Sequence, residues 1–258
     1  MRLNTTTLFQ HLIKWLGCQS VYDIGSLDGR DALRFRQLLP DGRIMAFEAN
    51  PHLFLKMKMN KMLKKGKIEV FHKAVSNRNG TVNFYIERVA GERSGDWRCG
   101  ISSIRKRLTG SLGVQKVDVP AIRLDSFVKE QDKKCRNLAL WIDVEGNSFE
   151  VLEGIRGIKN RVSVVLAELE VNEIWQGQKL EKDVENLMNK MGFIRLAKGF
   201  NDPQHDVVFI NGLYREKSPI KIRAIVLLSF ILTYLGFLIA VVPKIRQLTS
   251  KIDIVRRL

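Results

Sequence analysis

The chain has 258 residues, 45% of them hydrophobic and 27% charged, enough to hold one sizeable α/β domain with an appendage and to bury its core. Its formal charge of +16 asks for an anionic partner. From Asn211 onward nine Lys/Arg stand against two acids around one hydrophobic stretch, which favours a membrane over a nucleic-acid groove.

Cys18, Cys99 and Cys135 are odd in number, widely spaced and without a CxxC pair, so a zinc site is not expected and a reducing compartment is. The N-terminus, "MRLNTTTLFQHLIKWLGC", has no long apolar core and no cleavage site, so no signal peptide is expected. Leu8, Phe9, Leu12, Ile13 and Leu16 recur at helical spacing behind Thr5 to Thr7, which predicts a short capped amphipathic helix within residues 1–19. "VYDI" then reads as a buried strand, and 28–39 as a helix closed by Pro40-Asp41-Gly42. "RIMAFEA" (43–49) is the second strand, stopped by Asn50-Pro51, and a helix follows over 52–63 with a solvated cluster of lysines about its end.

"KIEVFHKAVS" gives a third strand running into a loop, and Asn79-Gly80 signals a hairpin into the alternating "NGTVNFYIE". Residues 88–113 are polar and irregular, a long loop or lid. "VDVPAIRLDSFV" gives a short strand and a helix, and "NLALWIDVEG" (137–146) a buried strand ending in two acids. There follow a helix over 148–157, the strand "RVSVVLAELE", a helix over 179–191, and "FIRLAK" and "DVVFING", separated by a loop holding His205. Strands alternating with helices imply an α/β fold, a mainly parallel, doubly wound sheet with an antiparallel end strand.

The segment "VYDIGSLDGRD" (21–31) bears most directly on function. A glycine-bearing turn between a first strand and a first helix is where α/β folds bind nucleotides, and Glu48 ends the second strand where such folds hold a ribose hydroxyl pair. The turn is neither GxGxxG nor a phosphate loop with its Lys and Ser/Thr. Asp23 before the first glycine would repel a pyrophosphate and suits a cationic ligand. S-adenosylmethionine carries an amino group, a sulfonium and a ribose but no phosphate. The bland alternative, a tight turn with Asp23 as a helix cap, leaves Glu48 without a role.

"DIGSLDG" followed by "FEANP" resembles the first two motifs of S-adenosylmethionine-dependent methyltransferases. "KAVSNRNGTVNFYI", "VPAIRLDSF", "LALWIDVEGNSFEVLEGI" and "VVLAELE" follow in order, and together they resemble the FkbM-type methyltransferase family over roughly residues 20–210. The resemblance implies a Rossmann-like class I methyltransferase with a seven-stranded sheet. By that resemblance Asp23, Gly25 and Gly29 line the cofactor, Glu48 holds the ribose and Ala74 lies near the adenine; Ser26, Ala49 and Asp143 complete the cofactor-binding set. The family usually has Ala-Asn where this chain has Ser26-Leu27, and Pro in place of Ala49.

A methyl donor that is already activated leaves the enzyme to place the acceptor and, for a hydroxyl, to supply a base. Candidates belong at the carboxyl ends of strands: Asp143 and Glu145 after the fourth strand, Glu168 and Glu170 at the fifth, and His205 before the last. The competing reading of Asp143 and Glu145 is a pair of acids favoured by a helix N-terminus. No third ligand accompanies that pair, so no metal is expected. Ser102 and Ser103 in "GISSI" resemble a family segment and are assigned to the lid.

"AIVLLSFILTYLGFLIAVV" (224–242) holds no charge in 19 residues, close to the length that crosses a hydrocarbon core of about 30 Å. Pro219 precedes it, Pro243 ends it, and Lys221, Arg223, Lys244 and Arg246 flank it. Beyond it, Ile245, Leu248, Ile252 and Val255 mark a basic amphipathic helix that would lie on anionic lipid. The expected organisation is an N-terminal helix (1–19), a methyltransferase domain (20–212), a membrane helix (219–243) and a basic tail (244–258), with the catalytic domain facing the cytoplasm, where the cofactor is made. The first functional reading is O-methylation of a hydroxyl on a lipid-linked or cell-surface sugar. The alternatives are a small lipid, quinone-like or natural-product acceptor, or a membrane scaffold that binds cofactor without catalysis. A nucleic-acid substrate is disfavoured, since there is no NPPY-type motif and no series of base-stacking aromatics.

Overall fold

The computed structural model describes residues 2–89, 101–109, 111–201, 203–217 and 219–235. The first helix, α1 (Thr5–Trp15), is capped one residue before the predicted threonines: Asn4 accepts from the Thr7 amide. Thr5 instead donates its hydroxyl to Asp206, 201 positions away. Then come β1 (Ser20–Ile24), α2 (Arg30–Leu38) and β2 (Arg43–Glu48). The helix predicted over 52–63 breaks into α3 (Pro51–Met59) and α4 (Lys61–Lys65), because Asn60 turns its side chain onto the Met62 amide and caps a new helix. After β3 (Glu69–His72), β4 (Ala74–Val75) and β5 (Gly80–Val89), β6 runs over Ser111–Ile122, longer than the short strand predicted there. The remainder is α5 (Leu124–Gln131), β7 (Leu138–Ile142), α6 (Ser148–Glu153), β8 (Val162–Glu170), α7 (Glu181–Lys190), β9 (Phe193–Lys198), β10 (Gln204–Asn211), α8 (Gly212–Lys217) and α9 over 219–235.

Seven strands form one sheet in the order β3-β2-β1-β7-β8-β10-β9, with β10 antiparallel to both of its neighbours. The parallel strands β1, β7 and β8 are buried on both faces. Along β7, Leu138, Leu140 and Ile142 join the core under α5, α6 and α7, while Ala139 and Trp141 join the core under α1 and α2. Phe9 and Phe35 meet Trp141 in edge or tilted contacts at 5.5 and 5.4 Å, which seats those two helices.

The antiparallel strand expected at the sheet's end lies inside it. β9 buries only Phe193 and Ala197 fully and suits an edge, whereas Val207 to Asn211 are all buried and need partners on both sides. β10 therefore inserts between β8 and β9. His205 also belongs to β10, not to the loop before it. A second sheet, β4-β6-β5, is built on the long β5–β6 hairpin that Asn79-Gly80 opens.

The hydrophobic tail begins as part of this fold. Ile222 and Ile225 of α9 are buried, and Ile225 completes the core under α1. Ser229 Oγ lies 3.2 Å from His11 Nδ1, and Thr233 Oγ1 accepts from the Asn4 amide at 3.1 Å. Among the described residues no helix is long and apolar enough to cross a membrane. The predicted span therefore reaches only position 235 here; its remainder, 236–243, and the basic tail lie outside the described residues.

Leu27 occupies the left-handed region at φ 56°, a conformation that costs a leucine about 1–2 kcal/mol and an asparagine less. Leu27→Asn is expected to raise stability by about 0.5–1 kcal/mol, read as a melting temperature higher by roughly 1–4 °C in scanning calorimetry.

Candidate active site

The turn after β1 is held by its own backbone. The amides of Gly25 and Ser26 both donate to the Phe47 carbonyl at 3.0 Å, and Gly25 and Gly29 sit at φ 82° and 81°. Gly25 must be glycine for a second reason: a Cβ there would lie 1.9 Å from the Asp143 carbonyl oxygen. Ser26 Oγ donates to Asp23 inside the turn, and Asp23 is fully buried. Gly29 opens α2, where a Cβ would strike Leu63.

Glu48, at the end of β2, is 6% exposed and uses both oxygens on backbone: Oε2 accepts from the Leu27 amide at 2.8 Å and Oε1 from Asn50 at 2.7 Å. One carboxylate thus ties the first turn to the second. Burial still pushes it up to about 7, and pushes Asp23 up to about 8.

A narrow cleft opens over these turns. Its walls are the Gly25 turn, Glu48 to Asn50, Lys73 to Val75, Phe84, Ser102 to Ile104 and the Asp143–Glu145 segment. Gly25, Glu48, Ala49, Ala74, Asp143 and Glu145 thus come together as one lining, while Asp23, Ser26 and Gly29 support it from behind. Ser103 folds back over the cleft: its backbone bridges Tyr85, and its hydroxyl donates to the Glu145 carbonyl at 2.6 Å. Positions 90–100 of the expected lid lie outside the described residues.

Acids crowd the far wall. Gln204 donates to Glu168 at 2.8 Å and to Glu145 at 3.2 Å, bridging the ends of β7 and β8. Burial raises Glu145 to about 7. Glu168, half-buried beside Asp143 and Glu145, is pushed upward by desolvation and by the negative charge of those two neighbours. Glu170 lies close by but accepts from the Gly146 amide, which makes it a brace for the turn. None of Asp23, Glu48, Asp143, Glu145 or Glu168 forms an ion pair with a cation among the described residues. Such a pocket suits a cationic ligand, as the sequence argued from Asp23 alone.

His205 is not brought to this cleft. It is buried, and its Nε2 lies 3.3 Å from Glu181 Oε1 at the start of α7, on the face of β10 opposite to Gln204 and Asp206. Its place in a strand rather than a loop is the physical reason. Gln204 escaped the sequence reading altogether, because nothing local marks a glutamine that meets Glu145 only after β10 has inserted. Among the described residues no group of His, Cys, Asp and Glu is arranged to hold a metal ion.

A family model described as the methyltransferase FkbM domain matches residues 23–195, more than half of the chain. The 2-O-methyltransferase NoeI of Sinorhizobium fredii is 28% identical over 162 residues, an alignment covering 61% of this chain and 66% of that protein, just under two thirds of its length. Among solved structures, the precorrin-6y C5,15-methyltransferase of Geobacter metallireducens GS-15 aligns with a TM-score of 0.38 at 13% identity, over 80% of this chain and 85% of that one. The N-terminal domain of EvdMO1 with SAH bound aligns at 0.42 and 10% identity, over 81% and 82%. With the domain matched over more than half of its length, the chain belongs to the FkbM-domain methyltransferase family.

Proposed function

We propose that the protein O-methylates a hydroxyl group of a lipid-linked or cell-surface sugar, and that its C-terminal segment holds it on a membrane with the catalytic domain on the cytoplasmic side. The observation that carries the hydroxyl reading is Glu145: a half-buried carboxylate on the cleft wall, pushed up to about 7 and so matched to accepting a proton at neutral pH. A relative named as a 2-O-methyltransferase supports the same bond. Membrane association is supported by the uncharged run over 224–242 with basic residues on both sides.

Bound in the cleft, the cofactor supplies a methyl group on a sulfonium, and transfer of that methyl to a hydroxyl releases one proton. Glu145 takes the proton. Gln204 fixes the carboxylate's orientation through its shared bonds to Glu145 and Glu168, and the Asp143–Glu168 pair keeps negative charge where the donor is positive. Glu48 and the Gly25 turn bind and orient the donor, Glu48 toward the ribose and Ala74 beside the adenine. Segment 101–104 covers the cleft and excludes water.

Glu145→Gln is expected to lower kcat on the true acceptor by about 100-fold or more while cofactor affinity falls much less. Stopped-turnover assays paired with calorimetry test it, and equal losses in both would place the base elsewhere.

A pH signature follows from the buried acids. Glu48, Glu145 and Asp23 bind protons more tightly when folded, so their contribution to stability is complete below the ordinary carboxylate range and is lost as pH rises through about 7 to 8. The unliganded protein's melting temperature should therefore fall from about pH 4 to about pH 8 on account of these groups. A cationic ligand prefers the ionised acids, so S-adenosylmethionine affinity should rise over the same interval, by up to about tenfold per pH unit for each coupled group. S-adenosylhomocysteine, which lacks the sulfonium charge, should show a shallower slope. A flat profile for both ligands would remove these acids from the binding site.

A further inference from the structure

Behind the carboxylate wall lies a second cavity, a groove of about 500 Å³ between the start of α1, the β9–β10 connection and α9. Its inner end is polar: Asn4, Glu168, Gln204, His205 and Asp206 line it, with one Asp206 oxygen already taken by Thr5. Glu168 and Gln204 are shared with the wall of the cofactor cleft, since Gln204 reaches Glu145 on the other side. The outer rim is apolar, formed by Phe200 and Leu232, which are 37% and 45% exposed.

Leu232 also belongs to an exposed apolar face of α9. Toward the domain α9 places Ser229 and Thr233 along with Ile222 and Ile225, all buried. Toward solvent it places Leu228, Ile231, Leu232 and Leu235, each 45–47% exposed. Residues three and four apart share a helix face, so Leu228, Leu232 and Leu235 form one stripe that runs up to the groove's rim. A helix on an aqueous surface carries polar residues on its outer face. A lipid bilayer is the occupant that matches. The uncharged run continues seven residues past position 235, and basic residues bracket it, with Lys221 and Arg223 exposed at its start and Lys244 and Arg246 just beyond its end.

We propose that the groove is the acceptor site and that it takes its acceptor from the membrane: the hydroxyl-bearing head lies against Asn4, Gln204 and Glu168, and the apolar part leaves over Phe200 and Leu232 into the bilayer on which the exposed face of α9 rests. This rests on the reading of the chain as a hydroxyl methyltransferase. It adds that the acceptor is an amphiphile, and that one helix serves as both membrane contact and acceptor rim. A head held by Glu168 and Gln204 sits one hydrogen-bonded side chain away from Glu145, which places the reacting hydroxyl between groove and cleft.

The full chain tests this with two probes. In flotation with vesicles of phosphatidylcholine and phosphatidylglycerol at 7:3, the combined Leu228→Glu, Leu232→Glu and Leu235→Glu protein should lose at least fivefold in bound fraction, with S-adenosylhomocysteine affinity within twofold of the parent. Should the triple variant lose cofactor binding, Leu235→Glu alone, outside the groove, carries the comparison and should still reduce flotation. Octyl β-glucoside below its micellar concentration should slow amide exchange over residues 3–5, 199–204 and 230–235, and glucose at the same concentration should not; Leu232→Glu should abolish the protection. Unchanged flotation in a variant that still binds cofactor overturns the proposal, as does octyl glucoside protection away from the groove. Self-association without vesicles that Leu228→Glu removes also overturns it, by assigning the face to a second copy. Loss of cofactor binding by the parent chain would instead sink the methyltransferase reading, whatever the vesicles show.

Discussion

The ends of β1 and β7 meet with no room for a side chain between them. The Asp143 amide donates to the Ile24 carbonyl at 2.9 Å, and the Asp143 carbonyl fills the space where a Cβ on Gly25 would be. That contact draws the first turn, with Asp23 beneath it, against the acids that follow β7. Glu48 then pins the turn from the other side through Leu27. The cofactor cleft is the space left over these three strand ends, so its shape depends on one missing side chain and one doubly engaged carboxylate. Charge adds a second constraint. Burying several carboxylates without cations costs free energy that the fold recovers by keeping some of them protonated, or by admitting a positive ligand.

The same economy of elements governs the other side of the site. β10 must lie inside the sheet because both of its faces are apolar, and by doing so it carries Gln204 to the gap between Glu145 and Glu168. α1 is tied to β10 through Thr5 and Asp206 and to α9 through Asn4 and Thr233. The chain's two ends therefore build the groove beside the carboxylates jointly. The hydrophobic tail is continuous with the domain at its start: its first turns are core, and its outer face is apolar where a surface helix would be polar.

Much of this was legible in the chain. The strands β1, β2, β7 and β8 announced themselves as short apolar runs, and Gly25 and Glu48 at the ends of the first two pointed to a ribose-bearing ligand. The acid Asp23 ruled against a phosphate. The boundaries were less legible where a side chain caps locally, as Asn60 does in splitting one predicted helix into two. His205 was placed in a loop and beside the chemistry; in the strand, alternation turns it toward Glu181 and away from the cleft.

What the sequence determined by itself were features fixed within a few residues: helical and strand periodicity, turns that only glycine permits, and acids at strand ends. The tertiary structure alone decided where β10 inserts, which acid Gln204 meets and which face of α9 is covered. The physical reason is distance along the chain. Gln204 and Glu145 are 59 positions apart and Asn4 and Thr233 are 229, so neither pair leaves a local pattern, and each forms only when packing on both faces of the sheet brings the elements together.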